Sequence, residues 1–326
     1  MMKDEVLAFL KQEEAYCSGE EISQKLGVTR AAVWKAIKKL QEEGYEITSS
    51  TKKGYKLIHR PNIITSGEIK DHLKTKRLGQ VIEYRNEVDS TNNLAKELAA
   101  KGASEGTLVV ADKQTSGKGR LGRNWESPAG TGIWMSLILR PNVLPQYASQ
   151  LTLVAGLGVC EAVKKSTGLD AKIKWPNDIV VNGKKVCGIL TEMSAEMDRV
   201  NYVVVGIGIN ANMEDFPEEL PYASSLKLEG QKECIRREII QYFLEIFEVD
   251  YDNYKSKMNL QPVKDRYEEN CITLHKKVKL INKENEWIAE AVGITNLGAL
   301  VVRYEDGKEE EVMSGEVSVR GLYGYI

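Results

Sequence analysis

Near the middle of the chain, cations and glycines alternate at a spacing that could hold phosphate: Gln114-Thr115-Ser116-Gly117-Lys118-Gly119-Arg120-Leu121-Gly122-Arg123. Gly117, Gly119 and Gly122 fit a G-x-G-x-x-G pattern. A dinucleotide-binding fold would need a helix to open here and an acid about twenty residues later. Residues 124–131 read instead as coil around Pro128 and Gly130, and position 142 is Asn142. No Gly-Lys-Ser/Thr closes the segment, which also excludes a Walker A loop. What remains is a glycine-rich loop carrying Lys118, Arg120 and Arg123. Cations beside bare backbone amides suit a polyphosphate or an acyl phosphate; a solvated basic loop is the alternative.

Two further pieces belong to the same chemistry. Lys174-Trp175-Pro176-Asn177-Asp178 places a cation, an amide and a carboxylate at a rigid strand end. Lys184-Lys185 precedes an apolar run. Alternation along a strand sends one of that pair to the sheet face that holds Lys174, and a lysine there is costly unless it meets an anion. Gly206-Ile207-Gly208-Ile209-Asn210 then leaves a strand end without side chains, open to close approach by a ligand.

The elements that must position these residues alternate. Strands are predicted at 81–88, 107–111, 132–139, 171–175, 179–192 and 202–209, and helices at 66–74, 92–101 and 148–165, with an amphipathic helix at 230–254 that serves packing. Asn182-Gly183 is a strong hairpin signal inside the 179–192 stretch, so the sheet is at least partly antiparallel and the class is α+β. At 326 residues the chain has room for two or three domains. Hydrophobic residues at 42% and charged residues at 28% exclude disordered and fibrous classes. The longest apolar runs, 133–139 and 151–160, are too short to span a bilayer, and a cytoplasmic protein is expected. Cys17, Cys160, Cys187, Cys234 and Cys271 are scattered, as are His59, His72 and His275, so reduced thiols and no metal site are expected.

A net charge of −2 gives no overall pull toward nucleic acid, but the first sixty residues are locally basic. Ser18-Gly19-Glu20-Glu21 fits a capping box, opening a short helix to Leu26. Gly27-Val28 turns the chain, and Thr29 caps a second helix whose Val33, Ile37 and Leu40 share one face. Arg30, Ala31, Lys35 and Lys38 lie on the other; Trp34, on the flank, is read as packing. Residues 45–57 form a hairpin turning near Lys53-Gly54, with Lys52 and Lys53 at its tip. Helix, tight turn, basic helix and basic hairpin together favour a winged helix-turn-helix, with Thr29, Arg30, Ala31, Lys35, Lys38, Lys52 and Lys53 as the DNA-facing set; a helical protein-interaction module with a solvated basic face is the alternative. Arg60-Pro61-Asn62 breaks the pattern and sets the first boundary.

Taken together, Ser90-Thr91-Asn92, Gln114, the 117–123 loop, Lys174–Asp178, Lys185 with Gly188-Ile189-Leu190, and Gly206–Asn210 resemble the biotin protein ligases. With the winged helix in front, the whole chain resembles the bifunctional biotin ligase and biotin operon repressor. The resemblance implies a class II synthetase-like mixed sheet at 63–273, between the winged helix at 1–62 and an SH3-like small β-barrel at 274–326. It implies a biotin pocket of Ser90, Thr91, Asn92, Gln114, Gly117, Lys118, Gly119, Arg120, Lys185 and Gly188. Arg123, Trp125, Lys174, Asn177, Asp178 and Asn210 would contact ATP or the adenylate. Lys185, which would hold the biotin carboxylate and the α-phosphate, and Arg120 are the catalytic candidates. One departure is Lys118, where the family loop carries arginine; lysine keeps the charge but loses the bidentate fork.

The 274–326 region reads as short strands at 278–281, 286–295, 298–304 and 308–314, turning at Asp306-Gly307, and in the family Gly315–Arg320 approaches ATP and the acceptor. The resemblance further implies ATP, biotin and Mg2+ as ligands, a biotin carboxyl carrier protein and operator DNA as partners, and a homodimer on adenylate binding. A lipoate ligase, which would want an apolar tunnel, and a non-catalytic ligand-sensing regulator are the rivals.

Overall fold

Ser18 accepts the Glu21 amide at 3.0 Å and Thr29 accepts the Ala32 amide at 3.2 Å, so both predicted caps start helices. The computed structural model describes residues 2–50, 53–282, 285–314, 318–321 and 325–326. It divides into two compact units, Met1–Ile63 and Ile64–Ile326.

In the first unit α1 (Met2–Gln12), α2 (Gly19–Leu26) and α3 (Arg30–Glu42) are followed by an antiparallel hairpin of β1 (Glu46–Ser50) and β2 (Gly54–His59). Val6, Leu10, Ile22, Val33, Ile37, Leu40 and Ile47 form its core. The first helix is not among the sequence expectations, because its charged start carries no cap signal. Its Val6, Leu7, Phe9 and Leu10 are nonetheless buried against the other elements. Lys52, at the predicted hairpin tip, lies outside the described residues.

The second unit runs α4 (Ser66–Lys70), β3 (Ile82–Val88), α5 (Thr91–Ala100), β4 (Leu108–Gln114), β5 (Ile133–Leu139), α6 (Pro145–Ala148) and α7 (Gln150–Thr167). It continues through β6 (Lys172–Lys174), β7 (Asp178–Val181), β8 (Lys184–Ala195), β9 (Val200–Ile209), α8 (Leu226–Gly230), α9 (Arg236–Lys257) and α10 (Lys264–Asn270). The seven strands β3 to β9 make one sheet in the order β3-β4-β5-β9-β8-β7-β6. Only β3 and β4 pair in parallel; every other pair is antiparallel. The predicted 179–192 strand is the β7–β8 hairpin, and its turn uses Asn182 and Gly183 with positive φ.

Alternation along β4 and β5 buries the sheet on both faces. Val109 and Ile138 pack with Ala95 and Ala99 of α5 on one side. Val110 and Leu137 join the main core, which also holds the apolar side chains of α7 and α9. In α9, Phe243, Phe247 and Tyr251 stack in sequence at centroid distances of 5.3 and 5.7 Å, so the predicted packing role holds. Helix α4 is shorter than predicted, ending at Lys70.

The remaining strands, β10 (Lys276–Ile281), β11 (Glu286–Ile294), β12 (Leu300–Arg303), β13 (Glu309–Val312) and β14 (Ser318–Gly321), form an antiparallel sheet in the order β13-β12-β11-β10-β14. Four of these were predicted as strands; β14 was not. Residues 315–317, expected near ATP, lie outside the described residues. Val278, Leu280, Ala289 and Val302 share one continuous core with the seven-stranded sheet. Trp175 spans the two sheets, donating from its indole Nε1 to the Gly298 carbonyl at 3.2 Å.

Candidate functional site

The start of α5 and the end of β4 meet over a buried polar network. Ser90, Thr91 and Asn92 are all buried. The Gln114 side-chain oxygen accepts from the Thr91 amide at 2.8 Å and from its hydroxyl at 3.1 Å. The Gln114 amide donates to Ser127 Oγ at 2.8 Å. Ser136 Oγ lies 2.8 Å from Thr91 Oγ1 and 2.6 Å from Asn92 Oδ1. The Asn92 amide donates to Glu192 at 2.8 Å, and Lys96 pairs with the same carboxylate at 2.7 Å. Burial works against the Glu192 anion, but the bonds from Lys96 and Asn92 hold its pKa below the usual range. Ser127, Ser136 and Glu192 escaped the sequence reading. Ser136 carried a signal, being the one hydroxyl in the otherwise apolar strand Ile133–Leu139.

These groups stand over a bare stretch of sheet. In the β8–β9 register Gly188 faces Gly208 and Leu190 faces Gly206. A methyl group on Gly206 would fall 2.1 Å from Asn92 Oδ1, and one on Gly208 would fall 2.5 Å from Trp125 Nε1. Gly188 is similarly close to the Trp125 ring, at 3.0 Å. Trp125, assigned from sequence to the nucleotide, lies on the glycine floor assigned to biotin, its indole Nε1 buried and without a hydrogen-bond partner among the described residues.

Beyond the glycines the cations gather. Lys185 Nζ pairs with Asp178 Oδ1 at 2.6 Å and lies 5.2 Å from the Trp125 ring. Lys184 turns the other way, is exposed, and pairs with Glu229 at 3.3 Å, as strand alternation requires. Lys174 is buried, and that burial lowers its pKa to about 8; Asp178 opposes the shift, while Lys185, Arg320 and Arg123 add to it. Arg120 reaches across from the loop to donate to Asn177 Oδ1 at 2.8 Å. Its pKa is lowered by burial despite the nearby Asp178. Asn177 is itself buried, its amide donating to the Ile189 carbonyl at 3.1 Å.

The loop itself is a closed turn, with the Gly119 amide donating to Arg123 O at 2.7 Å and Gly117 packed under the Trp125 carbonyl. Lys118 and Arg123 remain exposed. The Asn210 side-chain amide donates to the Ser224 carbonyl at 3.0 Å, which secures the segment before α8. Among the described residues no group of three or more His, Cys, Asp or Glu gathers in a metal-binding arrangement. No described helix is long and apolar enough to cross a membrane.

In the first unit Arg30, Ala31, Lys35 and Lys38 are all exposed on α3, and Lys53 is exposed at the hairpin. Thr29 is spent as the cap, and Arg30 makes an ion pair with Glu20 at 3.6 Å. Trp34, expected to pack, is 52% exposed on the same helix. A large aromatic thus stands exposed beside the cations of α3.

Residues 84–210, which carry the buried polar network, the glycine floor and most of the cations, match the biotin/lipoate A/B protein ligase family. Residues 3–56 match an HTH domain, and residues 273–320 match the biotin protein ligase C-terminal domain. The chain belongs to the biotin protein ligase family. It is 42% identical to the bifunctional ligase/repressor BirA of Bacillus subtilis over 310 residues, covering 94% of this chain and 95% of that protein. Identity to the Escherichia coli bifunctional ligase/repressor BirA is 29% over 93% of this chain and 92% of that one. Among solved structures, a biotin protein ligase from Aquifex aeolicus in complex with biotin and ATP superposes with a TM-score of 0.65 at 34% identity. That likeness covers 74% of this chain and 99% of the other.

Proposed function

We propose that the chain activates biotin with ATP to biotinyl-5'-AMP, transfers the biotinyl group to a lysine of a biotin carboxyl carrier protein, and represses transcription with the adenylate as corepressor. The observation that carries the ligase reading is the hydrogen-bonded network of Thr91, Gln114 and Ser136 beside Lys185 and Lys174. A ligand with a polar, hydrogen-bonding head and a carboxylate tail matches that order. Lipoate, with an apolar dithiolane, would strand the polar groups.

The biotin carboxylate attacks the α-phosphate and pyrophosphate leaves; the carrier amine then attacks the acyl carbon and AMP leaves. The first step brings two anions together, and Lys185 is the cation we assign to that meeting, supported by Arg120. Lys174, Arg123, Trp125, Asn177, Asp178 and Asn210 are assigned to the nucleotide side. Ser90, Thr91, Asn92, Gln114, Gly117 to Gly119 and Gly188 are assigned to biotin. Magnesium would enter as the ATP complex, held through phosphate oxygens and water. Pyrophosphate exchange measured with biotin and with lipoate tests this reading: exchange with biotin alone is expected, and exchange with lipoate alone would overturn it.

For the repressor half we propose functional divisions at 1–62, 63–273 and 274–326, with Thr29, Arg30, Ala31, Lys35, Lys38, Lys52 and Lys53 on the DNA. One winged helix reads one half-site, so paired half-sites need a homodimer, assembled when the adenylate orders the 117–123 loop. A chain beginning at Asn62 should keep full exchange activity and lose operator binding. Sedimentation and operator titration of the full chain should show tighter dimers and tighter operator binding with the adenylate, and no response to it would end the corepressor proposal.

A further inference from the structure

Tyr325 lies beyond residue 320, where the likeness to the C-terminal domain stops, yet it sits among the site cations. Its hydroxyl donates to Asp178 Oδ2, while Asp178 Oδ1 pairs with Lys185 at 2.6 Å. Its ring covers the Lys174 ammonium, 3.4 Å from the centroid, and stacks on Tyr222 at 5.6 Å. The neighbouring Ile326 packs against Gly183 at the β7–β8 turn, which anchors the segment. Burial, and then the Asp178 charge, raise the phenol pKa above its ordinary value, so the hydroxyl stays a donor.

We propose that Tyr325 is a positioning residue of the ligation site that acts through Asp178, dividing the carboxylate so that one oxygen alone faces Lys185. A carboxylate turns freely about its last torsion unless both oxygens are engaged. With the phenol in place, Asp178 offers Lys185 a single oxygen, and the ammonium can exchange that contact for the biotin carboxylate and the α-phosphate. Without it, both oxygens are free to close on Lys185 and hold it back from the incoming anions. The ring meanwhile shields Lys174 from water. This inference rests on the roles proposed above for Lys185 and Lys174.

The test is Tyr325→Phe in the full-length chain, which keeps the ring, its stacking and its cover over Lys174. Biotin-dependent pyrophosphate exchange should lose about tenfold in kcat, the scale of one hydrogen bond to a charged group, with KM for biotin unchanged. A general structural role is separated by a double-mutant cycle with Asp178→Asn, read by single-turnover adenylate formation at stoichiometric enzyme. If Tyr325 acts through Asp178, adding Tyr325→Phe to Asp178→Asn should change the rate by less than about twofold. Undiminished kcat in the single variant, or effects that multiply in the double variant, would overturn the inference while leaving the ligase reading intact. Absence of exchange in the unaltered chain would instead overturn the ligase reading.

Discussion

Lys185 and Lys174 share one carboxylate neighbour but are set for different tasks. Lys185 is ion-paired with Asp178, whereas Lys174 is buried enough to lower its pKa to about 8. Lys185→Ala removes the cation needed where two anions meet, so adenylate formation should fall by about 100-fold or more with the fold intact, read by exchange and by circular dichroism. For Lys174 the sign is set by burial: the ammonium is present at neutral pH and is lost as pH rises through about 8, earlier than for an ordinary lysine. Asp178 favours the ammonium, while Lys185, Arg320 and Arg123 oppose it. The kcat/KM for ATP reports the free enzyme and should fall roughly tenfold per pH unit above that point. Saturating ATP supplies phosphate charge that restores the ammonium, so kcat should hold to higher pH. Lys174→Arg should remove the alkaline limb of kcat/KM; a limb that persists would exclude Lys174 as its source.

At the scale of elements, the glycine floor of β8 and β9 sets how closely α5 and the 117–123 loop can approach the sheet. Asn92 is held by Ser136, Glu192 and the Leu190 carbonyl, so it cannot swing away from a new methyl group. Gly206→Ala should therefore destabilise the second unit by about 1–3 kcal/mol and raise KM for biotin, measured by thermal melting and exchange. The glycines, most strand positions and the cation loop were legible because backbone chemistry and alternation are written locally. Asn182-Gly183 marked the hairpin, and Lys184-Lys185 marked that one lysine of the pair faces inward. Ser127, Glu192 and Tyr325 were not legible, since each gains its role from a partner distant in sequence: Gln114, Asn92 and Asp178 respectively. Trp34, read as packing but 52% exposed, was not legible for a related reason. An aromatic residue reads as packing or stacking until the burial of its neighbours shows which face is left open.

At the scale of the whole molecule, the two units keep separate hydrophobic cores. Val6, Ile22, Val33 and Ile37 belong to one, and the apolar residues of the two sheets, α7 and α9 belong to the other. A unit of about sixty residues buries a smaller fraction of its surface than a larger one and is correspondingly marginal. Calorimetry should resolve two transitions, with the winged helix melting first. Saturating biotin and ATP stabilise only what binds them, by about 2.7 kcal/mol at a hundred times Kd, so the upper transition should rise and the lower should stay in place. A single transition that shifts as a whole would refute the independence of the cores. Separate cores give the two activities separate lifetimes: on warming, a population of this protein should stop recognising its operator while it continues to charge carrier proteins, and a richer supply of biotin would widen that interval.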